Sequence, residues 1–241
     1  MQSKEVKLLY GKNGIKLNIK DEWNANIIRK PLMPIINDIS DEVNKALNNP
    51  INSLSIDKIS SKGQSVCILV CDITRPVPNK LFLKQIILKF INAGISTDNI
   101  LIIIATGLHR PASKDEITEI IGSSWVLKNI KIVNHFARDD SMHKNIGTTK
   151  QGNIVKLDKR FVDADIKIAT GLVEPHFMAG YSGGRKVIAP GIAHADTITT
   201  FHSARYMENP NAISCNLINN PLHQDQLEIV NMIGQIYAIN C

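Results

Sequence analysis

Four short apolar runs constrain the fold most strongly, because each has the length of a buried strand and each leads into a polar loop. They occupy residues 65–71, 99–105, 130–134 and 165–170. Helical patterns separate the first three of them, the clearest being NKLFLKQIILKFINAG, an amphipathic segment that closes at Gly94. Buried strands that alternate with helices predict a doubly wound α/β fold, in which helices cover both faces of a parallel sheet.

Further elements are predicted on either side of these runs. Near the start, KEVKLLYGKNGIKLNI has two partly alternating stretches around the turn Gly11-Lys12-Asn13-Gly14, which indicates a β-hairpin. Helices are predicted for DISDEVNKALNNP, for SKDEITEIIGSS with a Ser113–Glu116 capping box, for HADTITTFHSARYM and for HQDQLEIVNMIG. The segment QIYAIN then predicts one more strand.

Composition excludes several classes of protein. The 241 residues are 44% hydrophobic and 21% charged, as in ordinary globular proteins. Only 5% are aromatic, and the net charge of +6 is spread without a basic block, so we expect no nucleic-acid partner. No apolar run reaches the ~18 residues that span a bilayer, and the first residues do not resemble a signal peptide. We therefore expect a soluble cytoplasmic protein that does not bind membranes.

The four cysteines fit that compartment. Cys67 and Cys71 share one apolar run, whereas Cys215 and Cys241 stand alone. Because no matching pair follows downstream, we expect reduced thiols rather than a disulfide or a metal site.

Residues with chemical potential follow the predicted strands. Ligands of parallel sheets bind at the carboxyl ends of the strands. The loops at these ends are Asp72 to Pro78, Ala105 to Pro111, His135 to Asp140 and Gly171 to Gly191.

In the first of these loops, Arg75 could grip a carboxylate or a phosphate with its planar fork. Asp72 could orient Arg75 or a histidine, and the alternative is a purely structural Asp72–Arg75 ion pair. His109 and His176 lie in two other loops, where a single histidine is usually a surface residue. Two imidazoles over one sheet edge could instead serve as acid and base near neutral pH.

The stretch Ala179–Lys186 is rich in glycine, which lets backbone N–H groups approach a phosphate, and Arg185 adds charge. Its spacing matches neither a Walker loop nor a Gly-x-Gly-x-x-Gly fingerprint, so an ordinary turn stays open. His202, in FHSARYM, is either a core histidine or a single metal ligand, because no second ligand stands three or four residues later. The remaining histidines are assigned structural or surface roles: His135, His143, His194 and His223.

Three motifs together resemble the nickel-dependent lactate racemase family, the nickel-pincer 2-hydroxyacid racemases and epimerases. They are DxTRPxP, ATGLHRP and PHFMAGYSGGRKxxxPG with a following FH, and they cover almost the whole chain in order. The resemblance implies a Rossmann-like, mostly parallel sheet with an N-terminal hairpin. It also implies that residues 1–241 form the cofactor-binding catalytic domain, with a C-terminal domain starting at 236–241.

The family's cofactor is a pyridinium mononucleotide whose sulfur groups hold nickel in a pincer. By resemblance, Lys186 carries this cofactor covalently through a thioamide, and His202 supplies the protein ligand to nickel. The surrounding loop would cradle the phosphate of the mononucleotide. Its implied contacts are Ser182, Gly183, Gly184 and Arg185.

By the same resemblance, His109 and His176 are the paired acid and base for a 2-hydroxy acid substrate. Arg75 would hold the substrate carboxylate, with Asp72 beside it. The α-hydrogen of a hydroxy acid is a poor acid, so its removal as hydride by an electrophilic pyridinium avoids a carbanion. Since both enantiomers need a base, two histidines are a requirement of the reaction.

Members of the family are about twice as long, so the second domain is expected to be absent from this chain. The expected partners are that C-terminal domain, the cofactor-synthesis proteins and a small 2-hydroxy acid. Whether this chain acts alone stays open. Two alternatives are a nucleotide-dependent oxidoreductase with a free cofactor and a non-catalytic truncated α/β module.

Overall fold

The computed structural model describes residues 3–11 and 13–241, which fall into two units, Met1–Asn37 and Asp38–Cys241. The first unit contains the hairpin of strands β1 (Ser3–Leu8) and β2 (Ile15–Lys20), which pair antiparallel as predicted. Lys12 of the predicted turn lies outside the described residues.

The second unit alternates strands and helices. Its strands are β3 (Val66–Cys71), β4 (Ile100–Ala105), β5 (Lys131–Asn134), β6 (His143–Thr148), β7 (Ile154–Asp158), β8 (Ile166–Gly171), β9 (Pro175–His176), β10 (Gly180–Tyr181) and β11 (Tyr237–Asn240). Its helices are α1 (Ile39–Asn48), α2 (Ile56–Ile59), α3 (Asn79–Asn92), α4 (Lys114–Ile121), α5 (Ser124–Asn129), α6 (Lys159–Val162), α7 (Arg185–Ile188), α8 (Ala195–Phe201), α9 (Ala204–Met207) and α10 (Pro221–Met232).

The central sheet has the strand order β11-β8-β3-β4-β5, and all neighbouring strands are parallel. The predicted doubly wound α/β fold, with its four parallel strands, is therefore confirmed, although β5 lies at the sheet edge and is only partly buried. The strand predicted for QIYAIN is β11, and it forms the edge of this sheet beside β8. The start of a further domain at 236–241 stays a prediction.

Apolar packing on both faces explains why the strands read as continuous hydrophobic runs. Side chains of a strand alternate between faces, so Cys67 and Leu69 of β3 enter one core cluster while Ile68 and Val70 enter the other. The second cluster includes the apolar side of α3, where Leu83 and neighbouring residues are fully buried. Cys67 is buried and Cys71 half-buried, whereas Cys215 and Cys241 are exposed, and all four are free.

The segment predicted as one helix, HADTITTFHSARYM, is two helices, so that prediction is wrong in one respect. Helix α8 ends at Phe201, His202 is its C-cap, and α9 begins after the extended Ser203. Threonine hydroxyls compete for the helix carbonyls here, since Thr199 and Thr200 donate to Ala195 and Thr197 respectively. The sequence analysis also missed the antiparallel hairpin of β6 and β7.

A buried ionic contact joins the loop after β5 to the end of β7. Asp158 accepts hydrogen bonds from Arg160 at 2.6 Å and from Nδ1 of the fully buried His135 at 3.1 Å. His135 Nε2 lies 3.1 Å from the carbonyl of Ala193. Burial alone would raise the pKa of Asp158, but the hydrogen bonds from Arg160 and His135 lower it to about 2.

We predict that Asp158→Asn destabilises the fold, because it leaves Arg160 and His135 without their buried carboxylate. Breaking such a pair costs about 3–5 kcal/mol, measured by urea unfolding at pH 7. The pKa of Asp158 is depressed, so this contribution is full above its ordinary value of 3.8 and is lost as the pH falls towards about 2. Asp163→Asn is the matched control, because its partner Lys144 and the carboxylate itself are both exposed. Equal unfolding free energies for the two variants would contradict the prediction.

Candidate active site

One cavity of about 410 Å³ lies at the carboxyl ends of β3, β4 and β8 and collects most of the predicted site residues. Those that line it are Asp72, Arg75, His109, His176, Ser182, Gly183, Lys186 and His202. Gly184 and Arg185, also predicted, are outside its lining. The parallel sheet therefore brings three loops, far apart in sequence, to one place.

Asp72 contacts a histidine rather than the arginine. It is buried directly after β3, and its Oδ2 lies 2.6 Å from Nδ1 of His109 in the loop after β4. The hydroxyl of Thr74 donates to the other carboxylate oxygen at 2.6 Å. In the neutral ring, donation to Asp72 through Nδ1 places the lone pair on Nε2. The structural alternative of an Asp72–Arg75 ion pair is wrong.

Arg75 is held only loosely. Its Nε lies 3.7 Å from Oε1 of Glu174, too far for a hydrogen bond, and both side chains are about 40% exposed (42% and 41%). An exposed pair of this kind contributes little. The guanidinium is therefore free to meet an incoming anion. Glu174 was not singled out in the sequence, because nothing local marks it as the partner of a residue 99 positions away.

His176 and Lys186 meet across the third loop. His176 ends β9, the short hairpin turns back through β10, and Lys186 follows on α7, with its Nζ 2.9 Å from His176 Nε2. Burial, with the charges of Arg185 and Arg75, lowers the pKa of Lys186 to about 7. Burial and the charge of Lys186 lower the pKa of His176 to about 4, so this imidazole is neutral at physiological pH.

The glycine-rich loop satisfies most of its own polar groups. Ser182 donates to the carbonyl of Leu172 at 2.6 Å, and the amide of Gly184 donates to Oδ1 of Asn240 at 2.9 Å. Arg185 donates to two carbonyls of the same loop, while its Nε is buried without a partner. These contacts fix the loop's shape. Asn240 was missed by the sequence analysis, because only the pairing of β11 with β8 brings it here.

His202 faces the cavity from the end of α8, and it is exposed, so the core-histidine alternative is wrong. Its Nδ1 lies 3.2 Å from the carbonyl of Ile198. Donation through Nδ1 fixes the ring and leaves Nε2 with a lone pair, which is the state that a metal ion requires. Within residues 3–11 and 13–241, no group of three or more His, Cys, Asp or Glu could hold a metal ion. A metal here would need ligands beyond these side chains.

In the described part of the chain, no helix is both long and apolar enough to cross a membrane.

The chain is similar to two curated proteins named lactate racemase, from Thermoanaerobacterium thermosaccharolyticum and Lactiplantibacillus plantarum. Each is 33% identical over 237 residues, which is 98% of this chain and 55% of the relative. The chain thus spans about half the length of the curated relatives it matches.

Solved structures agree. The lactate racemase apoprotein from Thermoanaerobacterium thermosaccharolyticum superposes with a TM-score of 0.81 at 32% identity, covering 97% of this chain and 55% of that one. A Thermotoga maritima protein shares the fold, with a TM-score of 0.65 at 21% identity over 81% of this chain and 47% of that one. The family model described as the lactate racemase N-terminal domain matches residues 10–214. The chain belongs to the lactate racemase family.

Proposed function

We propose that this chain carries the catalytic site of an isomerase that racemises a 2-hydroxy acid, with lactate as the first candidate substrate. The observation that carries the proposal is the cavity itself, which brings together two histidines, a loosely held arginine and a partly buried lysine. Membership of the lactate racemase family supports the reaction class.

Arg75 binds the substrate carboxylate in this proposal, because its planar fork matches a carboxylate and its own partner is weak. His109, with Nδ1 held by Asp72, uses the lone pair on Nε2 to take the hydroxyl proton of one enantiomer. His176 is the corresponding base for the other enantiomer. It is neutral at physiological pH, and it takes up the proton once the acylation of Lys186 has released its ring from the contacts that both nitrogens make in this structure. Asp72 acts as an orienting residue for His109 rather than as a direct contact of the substrate.

The residues present fit the nickel-pincer mononucleotide that the family resemblance implies. Lys186 offers an amine to the cavity, which suits a covalent amide-type link. His202 offers the neutral nitrogen Nε2 as the single protein ligand to nickel, and the cofactor itself would complete the coordination. When bound, such a cofactor would supply an electrophilic pyridinium ring that accepts the α-hydrogen as hydride.

In this proposal, some residues of the glycine-rich loop contact the cofactor and others hold the loop in shape. Gly183 lines the cavity and allows the backbone to approach the phosphate of the mononucleotide. The neighbouring groups keep the loop in that shape through their internal hydrogen bonds. They are Ser182, Gly184 and Arg185.

We further propose that residues 1–241 act with a second domain of the kind that the longer relatives contain, and with proteins that make the cofactor. The two alternatives to this proposal predict a different state of Lys186. A nucleotide-dependent oxidoreductase with a free cofactor, or a non-catalytic module, would leave its amine unmodified.

Mass spectrometry with metal analysis tests this proposal. Produced together with cofactor-synthesis proteins, the chain should carry a covalent adduct and about one nickel. Lys186→Ala should lose the adduct, whereas His202→Ala should keep the adduct and hold nickel poorly. His223→Ala is the control, because this histidine does not line the cavity. An adduct that persists in Lys186→Ala would contradict the proposal.

Replacing either base should slow racemisation. We expect His109→Ala and His176→Ala each to lower turnover by ~10²–10⁴-fold. The assay starts separately from each lactate enantiomer, in a chimera where this chain replaces the matching 55% of the Thermoanaerobacterium relative. Wild-type rates in either variant would assign that histidine a structural role.

Arg75→Lys keeps the charge but loses the planar fork, so we expect KM for the hydroxy acid to rise by about tenfold or more. Steady-state kinetics in the same chimera measure it. If KM and kcat both stay unchanged, Arg75 does not hold the carboxylate.

A further inference from the structure

The side chain of His176 closes the turn between β9 and β10, and this fixes which ring nitrogen carries the proton. Its Nδ1 lies 3.2 Å from the backbone nitrogen of Ala179 and 3.4 Å from that of Met178, and both N–H groups point at it. A ring nitrogen that accepts hydrogen bonds must carry the lone pair. In the neutral ring the proton therefore resides on Nε2.

That tautomer determines the state of Lys186. His176 Nε2 lies 2.9 Å from Lys186 Nζ, so the ring N–H points at the lysine nitrogen. An ammonium group has three donors and no lone pair, and two donors facing each other would repel. A neutral amine has a lone pair and accepts the hydrogen bond. The opposite arrangement would require the neutral ring to accept at both nitrogens, which it cannot do.

We propose that His176 is a positioning residue for Lys186, and that its Nε2–H holds the lysine as a neutral, nucleophilic amine ready for acylation before any turnover. The inference rests on the proposed function only for the identity of the acyl donor. Towards any activated acyl or thioacyl group, Nζ forms the new N–C bond, the leaving group departs with the electrons of its bond, and one amine proton passes to water.

The surroundings of Lys186 favour the neutral amine. Its burial and the charges of Arg185 and Arg75 all lower the pKa of this group, to about 7. For the part of the chain that the structure describes, no carboxylate forms an ion pair with Lys186; Glu174 faces Arg75. Four other ionisable groups line the cavity. They are His202, His109, the Asp72 carboxylate that His109 engages, and the thiol of Cys71, whose pKa burial raises to about 12.

The first test uses the chain without cofactor and acetic anhydride as the probe. Acetylation of Lys186 is followed by peptide mass spectrometry from pH 5 to 11, with the exposed Lys128 as an internal reference. We expect the midpoint for Lys186 to lie about three pKa units below the ordinary ~10.4 of a lysine. A midpoint in the ordinary range would overturn the inference.

The sign of a substitution separates the two tautomers. If Nε2–H donates to the amine, His176→Leu removes a group that stabilises the neutral lysine and therefore raises the midpoint. Each pKa unit of that rise lowers the labelling of Lys186 at neutral pH by up to about tenfold. If Nε2 instead accepts from an ammonium, the same change lowers the midpoint and refutes the inference. Arg75→Gln is the control: it removes a nearby positive charge and raises the midpoint in either case.

Long-range ¹H–¹⁵N correlation spectra of the wild-type chain supply a readout that needs no substitution. They distinguish a protonated ring nitrogen from an unprotonated one, and we expect the proton of His176 on Nε2. A proton on Nδ1 would overturn the inference. These measurements use neither cofactor nor substrate. If they place the proton on Nε2 and the midpoint near 7, but no adduct forms with the cofactor-synthesis proteins, the combined result contradicts the proposed function and leaves the inference about His176 intact.

Discussion

The parallel pairing of β3 with β4 and β8 is the constraint on which the candidate site depends. Parallel strands all end at the same edge, so three loops that are distant in sequence must emerge side by side. The 2.6 Å contact between Asp72 and His109 exists because β3 and β4 run in register, with Cys71 opposite Ala105. A one-residue slip of either strand would turn its apolar side chains to the wrong face and separate this pair.

Within that edge, hydrogen bonds divide the polar groups into those that build the loops and those that remain available. Ser182 donates a hydrogen bond within its own loop, and Gly184 donates one to Asn240 of β11, so both have a structural role. The guanidinium of Arg75, Nε2 of His109 and Nε2 of His202 have no such engagement among the contacts described above. All three of these groups belong to side chains that line the cavity, which is the arrangement expected of a site that binds and reacts.

Much of the fold and the positions of the candidate site residues could be predicted from the sequence, because strand patterns and loop positions are local signals. The runs that became β3 and β4 are continuous and apolar, as strands buried on both faces require, whereas those of β5 and β8 are interrupted by Lys131 and Lys167. The features that the sequence analysis missed depend on tertiary contacts. The break at His202 needed the threonine hydroxyls to compete for helix carbonyls, and the contact of Asn240 with Gly184 needed β11 to dock beside β8. The tautomer of His176 likewise depends on a turn that no spacing rule describes.

If Lys186 is neutral, as proposed, the charges around the cavity would make this state matter for the proposed substrate as well as for the proposed cofactor. Arg75 and Arg185 already lower the pKa of Lys186, and the buried carboxylate of Asp72 is engaged by His109. A third full positive charge close to these arginines would raise the cost of burial still further. Under the proposed function, with Lys186 neutral, Arg75 supplies positive charge at the cavity, and the carboxylate of a substrate would be drawn to its guanidinium. Permanent acylation of Lys186 would keep that charge distribution at every pH, because an amide-type nitrogen does not take up a proton. Under the two proposals, the same deprotonation that makes the lysine reactive would therefore also set the electrostatics in which a hydroxy acid binds.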